Sequence, residues 1–123
     1  MTIIPTLRYE DPRAAIDFLE RAFGFERKSV HESDGEVQHA EITFGRGVVM
    51  IGQSRPGDPF ETGRAVLYGI VEDPDAHHDR AKAAGARILM ELTDQDYGSR
   101  EYAAADPEGN VWSFGTYDPF SAR

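Results

Sequence analysis

The sequence contains no cysteine, so disulfide bonds, thiolate metal ligands and a cysteine nucleophile are all excluded. It also has no long hydrophobic run, and no window approaches the roughly 18 apolar residues of a membrane-spanning helix. The stretch from Met1 to Pro5 lacks a basic region followed by an apolar segment, so we expect no signal peptide. Together these absences predict a cytoplasmic protein.

Basic residues are scarce relative to acidic ones. The 123 residues include 13 Lys and Arg against 22 Asp and Glu, which gives a formal net charge of −9. Nucleic acids and anionic membranes are bound by clusters of Lys and Arg, so neither is expected as a partner. The acidic surface is compatible with a cationic ligand, but a negative charge that only keeps the protein in solution is the more common explanation. Phosphate-binding glycine loops and the Gly-x-Ser-x-Gly nucleophile motif are also absent.

What the chain does contain is an internal repeat. Glu10-Asp11-Pro12 recurs as Glu72-Asp73-Pro74, 62 positions later (72 − 10). In each copy Asp favours a helix N-cap, Pro favours the first helical position, and a glycine, Gly24 or Gly85, follows the helical pattern. The order of strand, helix and three strands occurs twice, which predicts two βαβββ units.

We therefore predict an α+β fold in which two tandem βαβββ units form one domain covering residues 1–123. The first unit spans about residues 3–52 and the second about residues 65–117. The intervening residues, about 53–64, contain Pro and Gly without an apolar period, which is typical of a linker. Asp34-Gly35 predicts a tight hairpin between the second and third strands.

Two stretches carry a resemblance to a known superfamily. Leu7-Arg8-Tyr9-Glu10-Asp11 precedes the first helix, and Asp106-Pro107-Glu108-Gly109-Asn110 precedes the last strand. With the paired βαβββ order, they make the chain similar to the vicinal oxygen chelate superfamily, which includes glyoxalase I, extradiol dioxygenases, and the bleomycin and fosfomycin resistance proteins. The resemblance implies a curved, cup-shaped mixed sheet with the helices on its outer face. It also implies a homodimer, and leaves open whether the cup forms within one chain or by exchange between two.

Metal-dependent members of that superfamily place one ligand on the first strand and one on the fourth strand of each unit. Counted from the shared motifs, the equivalent positions are near Ile4, Ile51, Val66 and Ser113, and the second is either Ile51 or a neighbouring residue. None of them is His, Asp or Glu, and aliphatic side chains offer no donor atom to a divalent metal. We therefore expect a site that holds neither a metal nor another cofactor.

Polar side chains expected inside the cup are the remaining candidates. His39 and Glu41 alternate with apolar residues on the third strand, where they could bind a ligand or act as acid and base. The same alternation also fits an exposed polar face at the rim. Pairing across the hairpin predicts that His31 and His39 lie on opposite faces, and His77 and His78 fall on the outer helix. The candidate ligand-binding residues are Arg8, His39, Glu41, Tyr68, Tyr97, Arg100, Tyr102 and Ser113.

The leading functional prediction is a metal-independent protein that binds a small molecule of aromatic or cationic character. It would resemble the bleomycin resistance proteins, which sequester a drug. The alternative is a glyoxalase-type lyase or isomerase, either metal-dependent or using His39 and Glu41 as acid and base. The sequence leaves open whether the chain catalyses a reaction.

Overall fold

The computed structural model describes residues 1–121. In the first unit, strand β1 (Thr6–Tyr9) is followed by helix α1 (Pro12–Phe18), which continues into one π-helical turn (Leu19–Phe23) and strands β2 (Glu26–Ser33), β3 (Glu36–Phe44) and β4 (Gly47–Gln53). The second unit contains β5 (Val66–Ile70), α2 (Pro74–Ala83), β6 (Arg87–Asp94), β7 (Arg100–Ala105) and β8 (Val111–Gly115). The predicted α+β fold with two βαβββ units is confirmed.

Each helix begins at the Asp-Pro pair of the repeat. The carboxylates of Asp11 and Asp73 each accept a hydrogen bond of 3.1 Å from the backbone N–H three residues further on. Gly24 and Gly85 follow the helices with φ of 85° and 88°, a left-handed conformation that favours glycine. Neither helix within residues 1–121 is long and apolar enough to cross a membrane.

Each unit forms its own four-stranded mixed sheet. The strand orders are β1-β4-β3-β2 in sheet one and β5-β8-β7-β6 in sheet two. In both sheets the first and last strands of the unit pair in parallel, and the other pairs are antiparallel. Across the described part of the chain, no strand of one sheet pairs with a strand of the other. Strands β1 and β5 are therefore each unpaired along one edge, as are the strands at the other ends of the sheets, β2 and β6.

The helices lie between the two sheets and share one core. The π-helical turn contacts α2, and the ring of Phe23 lies 6.0 Å from Trp112 and 4.8 Å from Phe114 of β8. His77 of α2 belongs to the same cluster, with its ring 4.3 Å from that of Phe114. The helix-bearing face of each sheet is therefore buried. The opposite face, which we call the open face, is the one that does not pack against the helices.

A bulge in β3 changes which residues share a face. His31 pairs directly with His39, so Gln38 is the extra residue between this pair and the Asp34-Gly35 turn. The prediction that His31 and His39 lie on opposite faces was wrong, because the bulge shifts the alternation by one residue. Their rings stack with centroids 6.2 Å apart. Arg55 of the linker donates a 3.0 Å hydrogen bond to Oε1 of the bulged Gln38.

The stretch from Asp106 to Asn110 joins the two units. The buried carboxylate of Asp106 accepts hydrogen bonds from the Tyr9 hydroxyl at 2.5 Å and from Trp112 Nε1 at 3.0 Å. It also accepts the backbone N–H groups of Glu108 and Asn110 and the Asn110 side-chain amide. Burial, and then the charge of Asp106, raise the pKa of Tyr9 far above its usual value, so the hydroxyl remains a donor. The Asp106–Asn110 motif, on which the resemblance to the superfamily rests, therefore has a structural role in connecting the two units.

Candidate functional site

The open face of sheet two carries exposed apolar side chains at its free edge. Val66, Tyr68 and Ile70 of β5 are 76%, 40% and 40% exposed. Ser113 of β8 pairs with both Tyr68 and Ala103, so these three residues lie on the same face. Contiguous exposed apolar surface marks a place that a ligand or another protein covers.

Of the alternatives for the second metal-equivalent position, a neighbour of Ile51 fits the structure. Ile51 is buried in the core on the helix-bearing face, so it does not reach the open face. Its neighbour Met50 does, because it pairs with Thr6 on one side and Glu41 on the other. The difference arises because the last strands of the two units are offset by 63 positions (113 − 50), whereas the first strands are offset by 62 (68 − 6).

The corrected set of positions does not fit a divalent metal. It consists of Ile4, Met50, Val66 and Ser113. Two aliphatic groups, a thioether and a hydroxyl lack the carboxylate or imidazole donors that such an ion requires. Within residues 1–121 there is also no group of three or more His, Asp or Glu side chains placed to hold a metal.

Sheet one presents an ionisable pair on its open face. His39 Nε2 lies 3.1 Å from Glu41 Oε2, and Lys28 Nζ lies 3.8 Å from Glu41 Oε1. The hydrogen bond with His39 and the charge of Lys28 lower the pKa of Glu41. Glu41 is therefore an ionised carboxylate whose basic partners come from its own sheet.

Sheet two places a carboxylate at the position equivalent to His39, 62 residues later (101 − 39). Glu101 is only 7% exposed. Its Oε1 accepts a 2.6 Å hydrogen bond from the Tyr97 hydroxyl, and its Oε2 accepts one of 2.9 Å from Ser99. None of the ion pairs within residues 1–121 includes Glu101. We call Tyr68, Tyr97, Ser99, Glu101 and Tyr117 the Glu101 cluster.

The Glu101 side chain lies against a glycine of the adjoining strand. A Cβ atom at Gly115 would be 2.4 Å from Glu101 Cγ and 2.9 Å from the Tyr68 hydroxyl oxygen. The Tyr68 hydroxyl donates to the Tyr117 carbonyl at 2.9 Å, and Ser99 Oγ accepts the Tyr117 N–H at 3.0 Å. The hydrogen bond to Glu101 raises the pKa of Tyr97 to about 12, so its hydroxyl stays protonated. The cluster is therefore held by contacts from β5, β7 and β8, from the loop between β6 and β7, and from the segment after β8.

Two predicted ligand-binding residues have to be corrected. Tyr102 is fully buried, and its hydroxyl lies 2.6 Å from His77 Nδ1 in the core. Arg100 makes hydrogen bonds of 2.7 and 3.1 Å to the carboxylate of Asp75 in α2, and another of 3.1 Å to Asp94. Both residues therefore belong to the helix-bearing side of sheet two and do not line its open face.

Glu101 and Ser99 were missed from the sequence. Successive residues of a strand point to opposite faces, so Glu101 lies on the open face between Arg100 and Tyr102. The signal that could have found it is its alternation with Ala103, which shares the face of Ser113. A residue next to an arginine is easily taken for its salt-bridge partner, although the two side chains of a strand diverge.

The two helix histidines are structural. His77 Nε2 lies 2.7 Å from the Phe23 carbonyl, which accepts only, so Nε2 donates and Nδ1 accepts from the Tyr102 hydroxyl. Burial lowers the pKa of His77, which favours this neutral form. His78 is buried, with its Nε2 2.8 Å from Glu91 Oε1. Neither ring reaches an open face.

Two cavities lie at the junction of the units. One of about 800 Å³ is lined by side chains of both charges and includes Arg8, whose guanidinium donates to the Gln53 carbonyl at 3.0 Å. The other, about 760 Å³, is mainly aromatic and aliphatic and is bordered by Tyr68, Ile70 and Phe120. Among the predicted ligand-binding residues, Arg8 borders the charged cavity and Tyr68 the apolar one.

Known proteins resemble this chain both in sequence and in fold. The family model described as Glyoxalase/Bleomycin resistance protein/Dioxygenase superfamily matches residues 4–114. The chain is 34% identical over 121 residues to an uncharacterized protein of Mycobacterium bovis, covering 90% of this chain and 80% of that protein. TioX from Micromonospora sp. ML1 is 34% identical with a TM-score of 0.81, covering 94% and 97% of the two chains. Lactoylglutathione lyase from Agrobacterium tumefaciens, 20% identical with a TM-score of 0.71 over 94% and 92%, shows the fold alone.

Proposed function

The chain belongs to the glyoxalase/bleomycin resistance protein/dioxygenase superfamily, and from this premise we propose that it is a metal-independent binding protein for a small organic molecule. The observation that carries the proposal is the donor chemistry of the open faces, where the four metal-equivalent positions offer no carboxylate or imidazole. An apolar surface with a few placed polar groups suits an organic guest of aromatic or cationic character. Sequestration of a drug or toxin in the cytoplasm is the proposed role.

The proposed binding unit is a homodimer. Each sheet has an open face and a free edge, and the two sheets share one topology. A twofold interface can place sheet one of one copy beside sheet two of its partner, so that β1 and β5 are no longer unpaired edges. Such an arrangement covers the exposed side chains of Val66 and Ile70 and closes two cups in each dimer.

The dimer is tested by placing a charge on the open face. We expect Val66→Glu to be monomeric in light scattering after size exclusion, whereas wild type is a dimer. Ala83→Glu, which adds the same charge on the exposed side of α2, is the matched control and should remain dimeric. A monomeric wild type, or a dimeric Val66→Glu variant, contradicts the proposed assembly.

Ligand binding is tested by thermal shift with small aromatic, thiol-conjugated and cationic compounds, each with and without added divalent metals. Because a ligand that binds the folded state raises apparent stability by mass action, we expect stabilisation by some compounds that is unchanged by metals. Tyr68→Ala should reduce this stabilisation. Elemental analysis showing about one Zn, Ni, Fe or Mn per chain, bound by identified side chains, is the result that contradicts metal independence.

A second candidate function is acid–base catalysis, and the 3.1 Å contact between His39 and Glu41 favours it. An imidazole aligned by a carboxylate can accept or deliver a proton near neutral pH. In this case the protein would be a glyoxalase-type lyase or isomerase. Turnover of the methylglyoxal–glutathione adduct that His39→Ala abolishes, and that His31→Ala retains, supports this candidate. Absence of turnover with and without metals rejects it.

A further inference from the structure

Glu101 is a buried carboxylate without a cationic partner among the described residues. A carboxylate can accept about four hydrogen bonds, and Tyr97 and Ser99 supply two, both from neutral hydroxyls. Burying a charge without a countercharge is unfavourable. A cation supplied from outside therefore gains more interaction energy here than at an exposed carboxylate.

The surroundings of this carboxylate are aromatic. The rings of Tyr97 and Tyr117 meet edge to face with centroids 6.0 Å apart. The ring of Tyr68 lies on the same open face, with its hydroxyl oxygen beside the Glu101 side chain. Because the face of an aromatic ring attracts a cation, the rings and the carboxylate favour the same class of ligand.

A metal ion does not suit this place. The Glu101 cluster contains one carboxylate, and the hydroxyls of Tyr97, Ser99 and Tyr68 are engaged as donors. Divalent cations require several anionic or carbonyl oxygens or imidazoles. An ammonium group requires only acceptors and a ring face, and the cluster offers both.

We propose that the Glu101 cluster binds the protonated amine of an aromatic amine ligand, with the carboxylate accepting its N–H groups and the tyrosine rings packing against it. The inference rests on the proposed function of small-molecule binding and adds the chemical group that is recognised. Sheet one lacks such a site, because Glu41 already has His39 and Lys28 as partners.

The test uses the purified full chain and three probes that differ in charge but share a phenyl ring and a two-carbon linker. They are phenethylamine, its neutral N-acetyl derivative and the anion hydrocinnamate. Titration calorimetry on wild type should show the amine binding at least about tenfold more tightly than either other probe, since charge-assisted hydrogen bonds are the stronger ones.

Glu101→Gln keeps the shape of the side chain and removes its charge. We expect the affinity for phenethylamine to fall on the order of tenfold and that for the N-acetyl derivative to stay the same. Glu26→Gln is the matched control, because it removes the same charge from an exposed position on β2. It should leave both affinities unchanged.

Three outcomes overturn the inference: equal binding of the three probes, an amine preference that survives Glu101→Gln, and failure of phenethylamine to bind at millimolar concentration. The first two leave the proposed small-molecule binding standing. After the third outcome, the thermal-shift screen with other compounds tests small-molecule binding separately. If Glu101→Gln does not fold, equal binding of the three probes to wild type would still overturn the inference.

Discussion

The two sheets share one topology but place different chemistry at the same point of their open faces. His39 of β3 and Glu101 of β7 are equivalent in the repeat, and the neighbouring strands carry corresponding glycines, Gly52 and Gly115. His39 is half-buried and bonded to Glu41, whereas Glu101 is buried and accepts from the hydroxyls of Tyr97 and Ser99. Within residues 1–121, sheet one pairs the charge of Glu41 with His39 and Lys28, and no ion pair includes Glu101. A repeated fold can therefore carry a site in one copy alone.

The largest difference in stability between the two units is expected at the turn that precedes the last strand of each unit. Asp106→Ala removes the shared acceptor of five hydrogen bonds, and it leaves the buried donors of Tyr9 and Trp112 without a partner. We expect it to lower the free energy of unfolding by about 3 kcal/mol. Arg46→Ala, in the corresponding turn of unit one, should change it by less than about 0.5 kcal/mol. Urea denaturation measures both, and equal effects contradict the assigned role of Asp106.

A second, smaller difference in stability is expected when Gly52 of sheet one and Gly115 of sheet two are each replaced by alanine. At Gly115 an added methyl group would lie 2.4 Å from Glu101 Cγ, whereas at Gly52 the nearest atoms are the Gln38 carbonyl oxygen at 3.2 Å and Arg8 Cδ at 3.5 Å. We expect Gly115→Ala to destabilise by about 2 kcal/mol. Gly52→Ala should lie within about 1 kcal/mol of wild type, because reduced freedom of the unfolded chain offsets a mild clash. Thermal unfolding that ranks Gly52→Ala as the worse variant contradicts this picture.

The two helices should contribute differently to the pH dependence of the free energy of unfolding. His77 of α2 stands where α1 has Ala15 (77 − 62), and burial lowers its pKa in the folded state. Between that lowered value and the ordinary histidine pKa of about 6.5, the unfolded state binds more protons. The contribution of His77 is thus present above about pH 6.5 and lost as the pH falls. Unfolding free energies of His77→Gln should show a shallower decline towards acid than wild type, and parallel curves contradict the assignment.

The smallest effect is expected at the exposed pair of sheet one. His39→Ala should change the free energy of unfolding by less than about 0.5 kcal/mol, because exposed ion pairs contribute little. Glu41→Ala, which removes the other member of the pair, should change the free energy of unfolding by a similarly small amount. A loss above about 1 kcal/mol for either variant, measured by urea denaturation, shows that the pair is structural and not reserved for a ligand.

The sequence was sufficient for the fold because its signals were local. The Asp-Pro helix starts, the glycines that follow the helices and the Asp34-Gly35 hairpin each depend on a few neighbouring residues. The matched positions 62 apart then supplied the order of the two units. These features depend on residues next to one another in the chain, so the sequence alone reveals them.

The site was predicted less well because face assignments depend on register. The bulge at Gln38 brought His31 and His39 together, and the 63-residue offset of the last strands exchanged Ile51 for Met50. The spacing of three between the buried Val37 and Ala40 was a signal for that bulge, since regular alternation would give two or four. That no cation within residues 1–121 pairs with Glu101, by contrast, depends on side-chain contacts that no local pattern contains.

The hydrogen bond between Tyr9 and Asp106 spans 97 residues, and it constrains the order in which the chain folds. Closing a long loop costs entropy before the contact is gained, so distant pairings form late. The β2–β3 hairpin can form early, whereas β1 obtains its acceptor only when the last hairpin is in place. During synthesis the hydroxyl of Tyr9 therefore has no Asp106 acceptor until 97 further residues have been made. Until then the first unit lacks the contact that joins it to the second, and incomplete intermediates of this kind are prone to misassembly.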